Sequence, residues 1–199
     1  MTAELARFKA AIEGFDRFNG EDPNREVFEG REYSKELLYA ERMTAWLGKL
    51  VPDASEALRL AVRCQHIGRW TIARDRYPPG RKGYIQWRGA LSRFHAETAG
   101  RILSEAGYET DTISRVKKLL RKGGLKTDPQ TQLLEDVVCL VFLENYFSDF
   151  SRKHADEKVI DIIKKTWVKM SPRGHGEALK LKDGLPPDRR VLIERALAR

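Results

Sequence analysis

The sequence predicts a single all-α domain, a bundle of seven to nine helices. Apolar residues recur at helical spacing in nearly every segment, and no run of alternating apolar and polar residues is long enough for a convincing strand. With 199 residues, of which 41% are hydrophobic and 33% are charged, the chain is long enough to bury one sizeable core.

Each predicted helix begins or ends at a recognisable signal. The first helix, residues 3–18, ends at Asn19-Gly20, and Ser34 caps the second helix, which Pro52 stops. Further helices are predicted over about 53–66 (starting at Asp53 or Ser55), 85–106, 110–122, 129–147, 155–169 and 187–198.

Residues 67–84 interrupt this pattern with three glycines and two prolines among arginines, which predicts a long irregular loop. Loops of this length without secondary structure are usually functional or disordered.

The charge balance favours an anionic partner. Subtracting 29 Asp and Glu from 37 Lys and Arg leaves a net charge of +8, which suits a phosphorylated small molecule or a nucleic acid. No apolar run could span a membrane and no secretory h-region is visible, so a cytoplasmic protein without membrane contact is expected. The sequence does not indicate an oligomeric state.

Asp136 lies on an apolar helix face with Leu133, Leu140, Leu143 and Phe147, at spacings of three and four. A carboxylate there must be paired, hydrogen-bonded or bound to a cation. A salt bridge to an arginine would explain this position as well as a bound cation would. So would a helix that is rotated so that Asp136 lies toward the edge of the apolar face.

Other polar residues repeat this pattern on other helices. His95 lies among apolar residues, His66 and Gln65 lie at the margin of an apolar helix, and Tyr39 lies on the apolar stripe of its own. Each of them is individually typical of a satisfied core residue. Together with Asp136 they suggest one polar cavity, in which His66, His95 and Asp136 would bind manganese, iron, zinc or nickel.

These segments resemble the HD-domain superfamily of metal-dependent phosphohydrolases and related di-iron oxygenases. Residues 61–68, AVRCQHIG, are similar to the helix that runs into the HDIG motif of the family. Residues 94–100, FHAETAG, resemble the additional histidine helix of its two-metal members, and residues 134–137, LEDV, resemble its closing aspartate. The whole chain would then be one HD-like helical domain, residues 1–199.

The match departs from the family at three of the four defining ligands. The His-Asp pair of the family falls on Gln65 and His66, and its first histidine falls on Tyr39, or alternatively on Glu41. The resemblance implies that Tyr39, Gln65 or Glu41 completes or orients the shell around the metal, as catalytic residues.

A second resemblance covers the whole chain. Residues 35–39, 65–70 and 134–136 match a domain-of-unknown-function family whose members are often labelled glutamyl-tRNA synthetase. HIGR at 66–69 and KMSPR at 169–173 look like the two signatures of class I synthetases. Those signatures grip ATP on a parallel sheet, whereas both segments here end helical patterns, which argues against an ATP-using synthetase.

The segment from Arg69 to Arg88 interleaves six basic residues with four aromatic ones. Guanidinium groups match phosphate or carboxylate oxygens, and aromatic faces stack on a base or a sugar. The predicted ligand-binding residues are Arg69, Trp70, Arg74, Arg81, Tyr84, Trp87 and Arg88, joined by Lys126. A loop whose aromatic residues pack on the core while its arginines stay solvated is the alternative.

Two functional hypotheses follow. The first is an HD-like, metal-dependent protein that acts on a phosphorylated or otherwise anionic small molecule, as a hydrolase or an oxygenase. The second is a non-catalytic module that binds a nucleotide, RNA or another anion and retains only a vestigial metal site.

Overall fold

The computed structural model describes residues 2–198 and confirms an all-α fold. Ten α-helical segments occur in this range, and a π-helical turn joins the sixth to the seventh, which makes nine helices within the described residues. None of these helices is both long enough and apolar enough to cross a membrane.

The elements are, in chain order, α1 (Ala3–Gly20), β1 (Arg25–Phe28), β2 (Arg31–Ser34), α2 (Lys35–Leu50), α3 (Glu56–Arg63), α4 (Gly80–Glu105), α5 (Thr110–Leu120), α6 (Pro129–Val141), α7 (Phe147–Arg152), α8 (Asp156–Lys169), α9 (Pro172–Asp183) and α10 (Pro187–Leu197). Two 3-10 turns, Arg69–Thr71 and Arg74–Arg76, lie between α3 and α4, and the π turn is Phe142–Tyr146.

The described chain divides into two compact units, one ending at Gly123 and one starting at Gly124. The first unit contains the hairpin and α1 to α5, and the second contains α6 to α10. That the whole chain forms one HD-like domain stays a prediction.

In the first unit, α3 packs against α2 and α5, and α4 packs against α5 and α1. The core between them is apolar and fully enclosed, with Phe15, Met43, Leu58, Leu91 and Leu119 all buried. These side chains recur at helical spacing, which is the pattern that predicted the helices, and their burial stabilises the unit by roughly 1.5–3 kcal/mol each.

The prediction that no strand is present is wrong. Strands β1 and β2 form an antiparallel hairpin closed by Glu29 and Gly30, which both have positive φ values of 49° and 75°. Each strand has only four residues and most of them are exposed, so no alternating pattern marked them.

Just before the hairpin, the buried Asp22 accepts a hydrogen bond from the backbone N–H of Glu36 over 3.1 Å. This bond satisfies an N–H group at the start of α2 that has no partner within the helix. It also fixes the backbone at Glu36, in the first turn of α2.

The prediction of an irregular loop over 67–84 is wrong at its carboxyl end, because α4 begins at Gly80. The side chain of Arg74 donates hydrogen bonds to the carbonyl groups of Tyr77, Pro78 and Gly80 over 3.0–3.4 Å. Gly83 lies so close to the Pro78 carbonyl that a Cβ there would be 1.8 Å from the oxygen. The segment is therefore an ordered entry into α4.

The second unit surrounds α6, which packs against α8 and α9, while α10 packs against α8. Its buried core includes Leu134, Leu140, Phe147, Val159 and Ile163. Helix α9 was not predicted, because glycines at 174 and 176 weaken its apolar pattern.

The turn after α3 depends on Gly68. This residue has a φ of 64°, and a Cβ there would lie 2.7 Å from atoms of the Phe18 and Phe94 rings. Its N–H donates to the buried Oδ1 of Asn19 over 3.1 Å, which ties the turn to the end of α1. Only glycine satisfies both the left-handed backbone and the close ring contacts.

We expect Gly68→Ala to lower the free energy of unfolding by about 2–4 kcal/mol, because it adds a left-handed backbone penalty to a steric overlap. Gly20→Ala is the matched control, since a Cβ at Gly20 would meet no atom within 4 Å. Urea denaturation followed by circular dichroism measures both variants. Equal stabilities would contradict this account of the turn.

Candidate active site around His66

The turn that follows α3 brings His66 against residues of α2 and α4. The imidazole of His66 stacks on the Tyr39 ring, with centroids 4.4 Å apart and planes inclined by 15°. The His95 ring lies 5.9 Å from it, centroid to centroid. The rings of Tyr39 and His95 therefore both lie within 6 Å of the His66 ring, centroid to centroid, and their shared functional role stays a prediction.

The partners of the two imidazoles determine where their protons lie. Nη1 of Arg69 is 3.5 Å from Nε2 of His66, and a guanidinium group can only donate, so Nε2 accepts and the His66 proton lies on Nδ1. Nδ1 of His95 lies 2.7 Å from the Ile67 carbonyl oxygen and donates to it. The Nε2 atom of His95 therefore keeps its lone pair.

Glu36, in the first turn of α2, is the residue that sequence reasoning missed. Its Oε2 atom is buried, has no hydrogen-bond partner among the described residues, and lies 3.7 Å from Nδ1 of His66. Its Oε1 atom lies 4.0 Å from Nε of Arg69. Glu36 precedes Tyr39 by three residues and Met43 by seven, so its place on the apolar stripe of α2 could have identified it.

Burial raises the pKa of Glu36 to about 7, and Asp22 and Glu26 raise it further while Arg69 and Lys35 oppose the rise. Near neutral pH this carboxyl is therefore only partly ionised. A group with such a pKa can both accept and release a proton under physiological conditions.

Both imidazoles are neutral at the same pH. Burial lowers the pKa of His66 well below its ordinary value, and the charges of Arg69 and Arg88 lower it further. Burial also lowers the pKa of His95 to about 4, although the bond to Ile67 opposes this shift. The cluster of side chains around His66, called the His66 pocket below, thus combines two neutral imidazoles and a half-neutral carboxyl with nearby positive charge.

Arg69 is held between this carboxyl and an aromatic ring. Its guanidinium carbon lies 5.0 Å from the centre of the Trp87 ring, whose indole N–H donates to the Ile72 carbonyl over 2.8 Å. Arg88 follows on the same helix, is half-buried and forms no ion pair within the part of the chain that is described. Arg69 therefore lies beside His66, Trp87 contacts Arg69, and the charge of Arg88 lowers the pKa of both imidazoles.

Three other predicted residues have structural partners elsewhere. Glu41 is exposed, and its carboxylate lies 3.9 Å from Arg63. The guanidinium group of Arg74 donates hydrogen bonds to backbone carbonyls, and the predicted roles of both residues stay predictions. Lys126 belongs to the second unit and donates to the Met170 carbonyl over 3.2 Å, in place of the predicted role at a ligand.

The remaining predicted residues lie around the segment in different settings. Gln65 is buried, and its Oε1 atom lacks a hydrogen-bond partner among the described residues. Trp70 packs 5.9 Å from the Phe18 ring, centroid to centroid. Arg81 and Tyr84 are exposed on the first turns of α4, where Tyr84 lies 5.9 Å from Trp87.

Asp136 lies in the second unit, where both of its carboxylate oxygens accept hydrogen bonds. Its Oδ1 atom accepts from the Ser171 N–H over 2.8 Å and from Gln132 over 3.2 Å, and its Oδ2 atom accepts from the Ser171 hydroxyl over 2.5 Å. These bonds fix the turn between α8 and α9, which contains the KMSPR segment. The buried carboxylate that sequence analysis offered as a metal ligand thus has a local, structural set of partners.

The residues around His66 do not fit a resident divalent cation as they stand. Among residues 2–198, no group of three or more His, Cys, Asp or Glu side chains is arranged to hold a metal ion. Arg69 already contacts Nε2 of His66, and the positive field of Arg69 and Arg88 that lowers the imidazole pKa values also opposes a cation. A manganese, iron, zinc or nickel site stays a prediction of the sequence.

Comparison with known proteins gives one match. A family model described as "Domain of unknown function (DUF4202)" matches residues 9–193, which is nearly the entire chain. No curated protein and no solved structure matches the chain.

We expect Glu36→Gln to change the pH dependence of stability. The folded-state pKa of about 7 lies above the unfolded value, so ionisation of Glu36 opposes folding. The wild type therefore loses stability as pH rises from the unfolded pKa of Glu36 through the folded one. The neutral variant should therefore gain on the order of 1–3 kcal/mol over the wild type between about pH 5 and about pH 8.

Urea denaturation of both proteins at the two pH values measures this gain. Because the histidines titrate in both proteins, their contribution cancels in the difference. A stability difference that is the same at both pH values would contradict the raised pKa of Glu36.

We expect Asp136→Ala to lower the free energy of unfolding by about 2–4 kcal/mol, because it leaves the Ser171 N–H and hydroxyl without their acceptor. Asp161→Asn is the control, since Asp161 forms only an exposed pair with Lys165. Urea denaturation in the presence of a chelator measures both. An Asp136→Ala protein as stable as the control variant would refute this structural role.

Proposed function

The chain belongs to the DUF4202 family, and from the site of this member we propose that its His66 pocket binds the phosphate, or another oxyanion, of a small molecule. The observation that supports the proposal is the position of Arg69, whose side chain is 28% exposed and lies against a neutral imidazole and a carboxyl that is only half ionised. A half-buried cation without a full countercharge is unfavourable, and a bound anion would reduce that cost.

The charges around the pocket support an anion over any other ligand. Arg69 and Arg88 contribute two positive charges, and Glu36 contributes at most one negative charge at neutral pH. The guanidinium fork of Arg69 suits two oxygens of a phosphate group, which lysine could not engage in the same way. An anion bound there would also raise the pKa of both imidazoles and allow them to donate.

Hydrolysis is the reaction that the ionisable groups suit best. Glu36 lies 3.7 Å from His66 and has a pKa near the operating pH, which is the property of a group that gives or takes a proton during a reaction. Arg69 would stabilise the charge that develops on the bound oxyanion. The resemblance to HD-domain phosphohydrolases is in agreement with this reaction class, although its metal requirement is a separate question.

A second candidate function is nucleic-acid binding by the exposed start of α4. Tyr84 is 50% exposed and lies on the same turns as Arg81 and Lys82, which are also exposed. A solvated aromatic ring among cations can stack on an unpaired base. This surface and the His66 pocket use different arginines, so one experiment separates the two candidates.

The test is isothermal titration calorimetry with sulfate, an oxyanion that does not titrate near neutral pH. Arg69→Gln should weaken sulfate binding by roughly 10- to 100-fold, the loss expected for a charged hydrogen bond. Arg81→Gln is the matched control and should leave sulfate binding unchanged. A loss in Arg81→Gln with none in Arg69→Gln would overturn the pocket and favour the α4 surface.

The pH dependence of the same binding tests the role of Glu36. A bound anion disfavours the ionised carboxyl, so binding takes up a proton, and sulfate affinity should fall as pH rises from about 6 to about 8. Glu36→Gln should flatten this dependence. Titrations with Mn²⁺, Fe²⁺, Zn²⁺ and Ni²⁺ on the same protein measure whether a metal contributes. Sulfate binding that appears only with a metal would overturn the metal-free pocket.

A further inference from the structure

A cavity in the first unit is lined by none of the side chains that surround His66. Helices α1, α2 and α3 form the walls of this partly open cavity, which has a volume of about 420 Å³. This volume falls within the range of roughly 300–1,000 Å³ that is typical of small-molecule sites. Its wall is mostly apolar and includes Phe8, Ile12, Leu47 and Val51.

Gly48 is an exposed residue of the cavity lining. It lies inside α2, lines the cavity, and a Cβ at this position would meet no atom within 4 Å. Glycine within a helix costs roughly 0.5–1 kcal/mol relative to alanine, and no backbone conformation or close contact requires it here. The missing side chain leaves room beside Leu47 and Val51.

One arginine at the rim of the cavity has no countercharge among the described residues. Arg59 is exposed, its guanidinium carbon lies 4.2 Å from the centre of the Phe8 ring, and it has no carboxylate partner among the described residues. Arg63, the other cation of the lining, is bound by both oxygens of Asp16 over 2.6 Å and 2.7 Å. An anionic group at this rim would therefore meet Arg59.

We propose that this cavity binds a small apolar monocarboxylate, with its hydrocarbon chain against Phe8, Ile12, Leu47 and Val51 and its carboxylate on Arg59. Burial of the chain contributes about 25 cal/mol per Å² of apolar surface, and the charged hydrogen bond selects the acid over the alcohol. This site is independent of the proposed function at His66.

The test is calorimetry with three probes of one chain length: octanoate, octanol and octyltrimethylammonium. Octanoate should bind the wild type most tightly and the cationic probe most weakly. Arg59→Gln should reduce octanoate affinity by about 10-fold, toward that of octanol, while leaving octanol unchanged.

Gly48→Leu should abolish binding of octanoate and octanol, because the new side chain fills the cavity. The variant should fold, since leucine favours a helix more than glycine does. Its matched control is Gly176→Leu in the second unit, another helical position where a Cβ meets no atom within 4 Å.

Sulfate binding at Arg69 should be unchanged in Gly48→Leu, which separates this site from the His66 pocket. Octanoate bound equally by the wild type and a folded Gly48→Leu protein would overturn the proposal. So would a wild type that binds octanol or the cationic probe at least as tightly as octanoate.

Discussion

The turn between α3 and the first 3-10 segment is the constraint on which the candidate site depends. Two hydrogen bonds hold it from opposite sides: Asn19 accepts from the Gly68 N–H, and His95 donates to the Ile67 carbonyl. The second bond fixes the turn and the tautomer of His95 together. Because His66 and Arg69 flank this turn, contacts made by α1 and α4 hold them in position.

Charge, more than shape, then decides what the pocket can hold. Burial makes Glu36 a weak acid with a pKa of about 7 and keeps both imidazoles neutral, so the positive charge of Arg69 is only partly balanced. The same positive field disfavours a divalent cation and favours an oxyanion.

Sequence periodicity predicted the helices and the meeting of Tyr39, His66 and His95, because polar residues on apolar faces must point into the same core. It could not predict that Asp136 would find hydrogen-bond donors in the α8–α9 turn, since that contact spans 35 residues and carries no periodic signal. Glu36 was overlooked although it shares the stripe of Tyr39, because a charged residue in the first turn of a helix is ordinarily explained by the helix dipole. The hydrogen bond from its backbone N–H to Asp22 and the burial of its side chain both arise from tertiary contacts.

The most direct test of an unneutralised positive charge beside His66 is an NMR titration of the Glu36 side-chain carboxyl carbon, with and without saturating sulfate. We expect a midpoint near pH 7 in the free protein, which rises when sulfate is bound because the anion opposes ionisation. A midpoint in the ordinary glutamate range of about 4.3 would mean that Arg69 is already fully balanced. That result, or a midpoint that sulfate does not move, would contradict the claim that the pocket carries an unneutralised charge awaiting an anion.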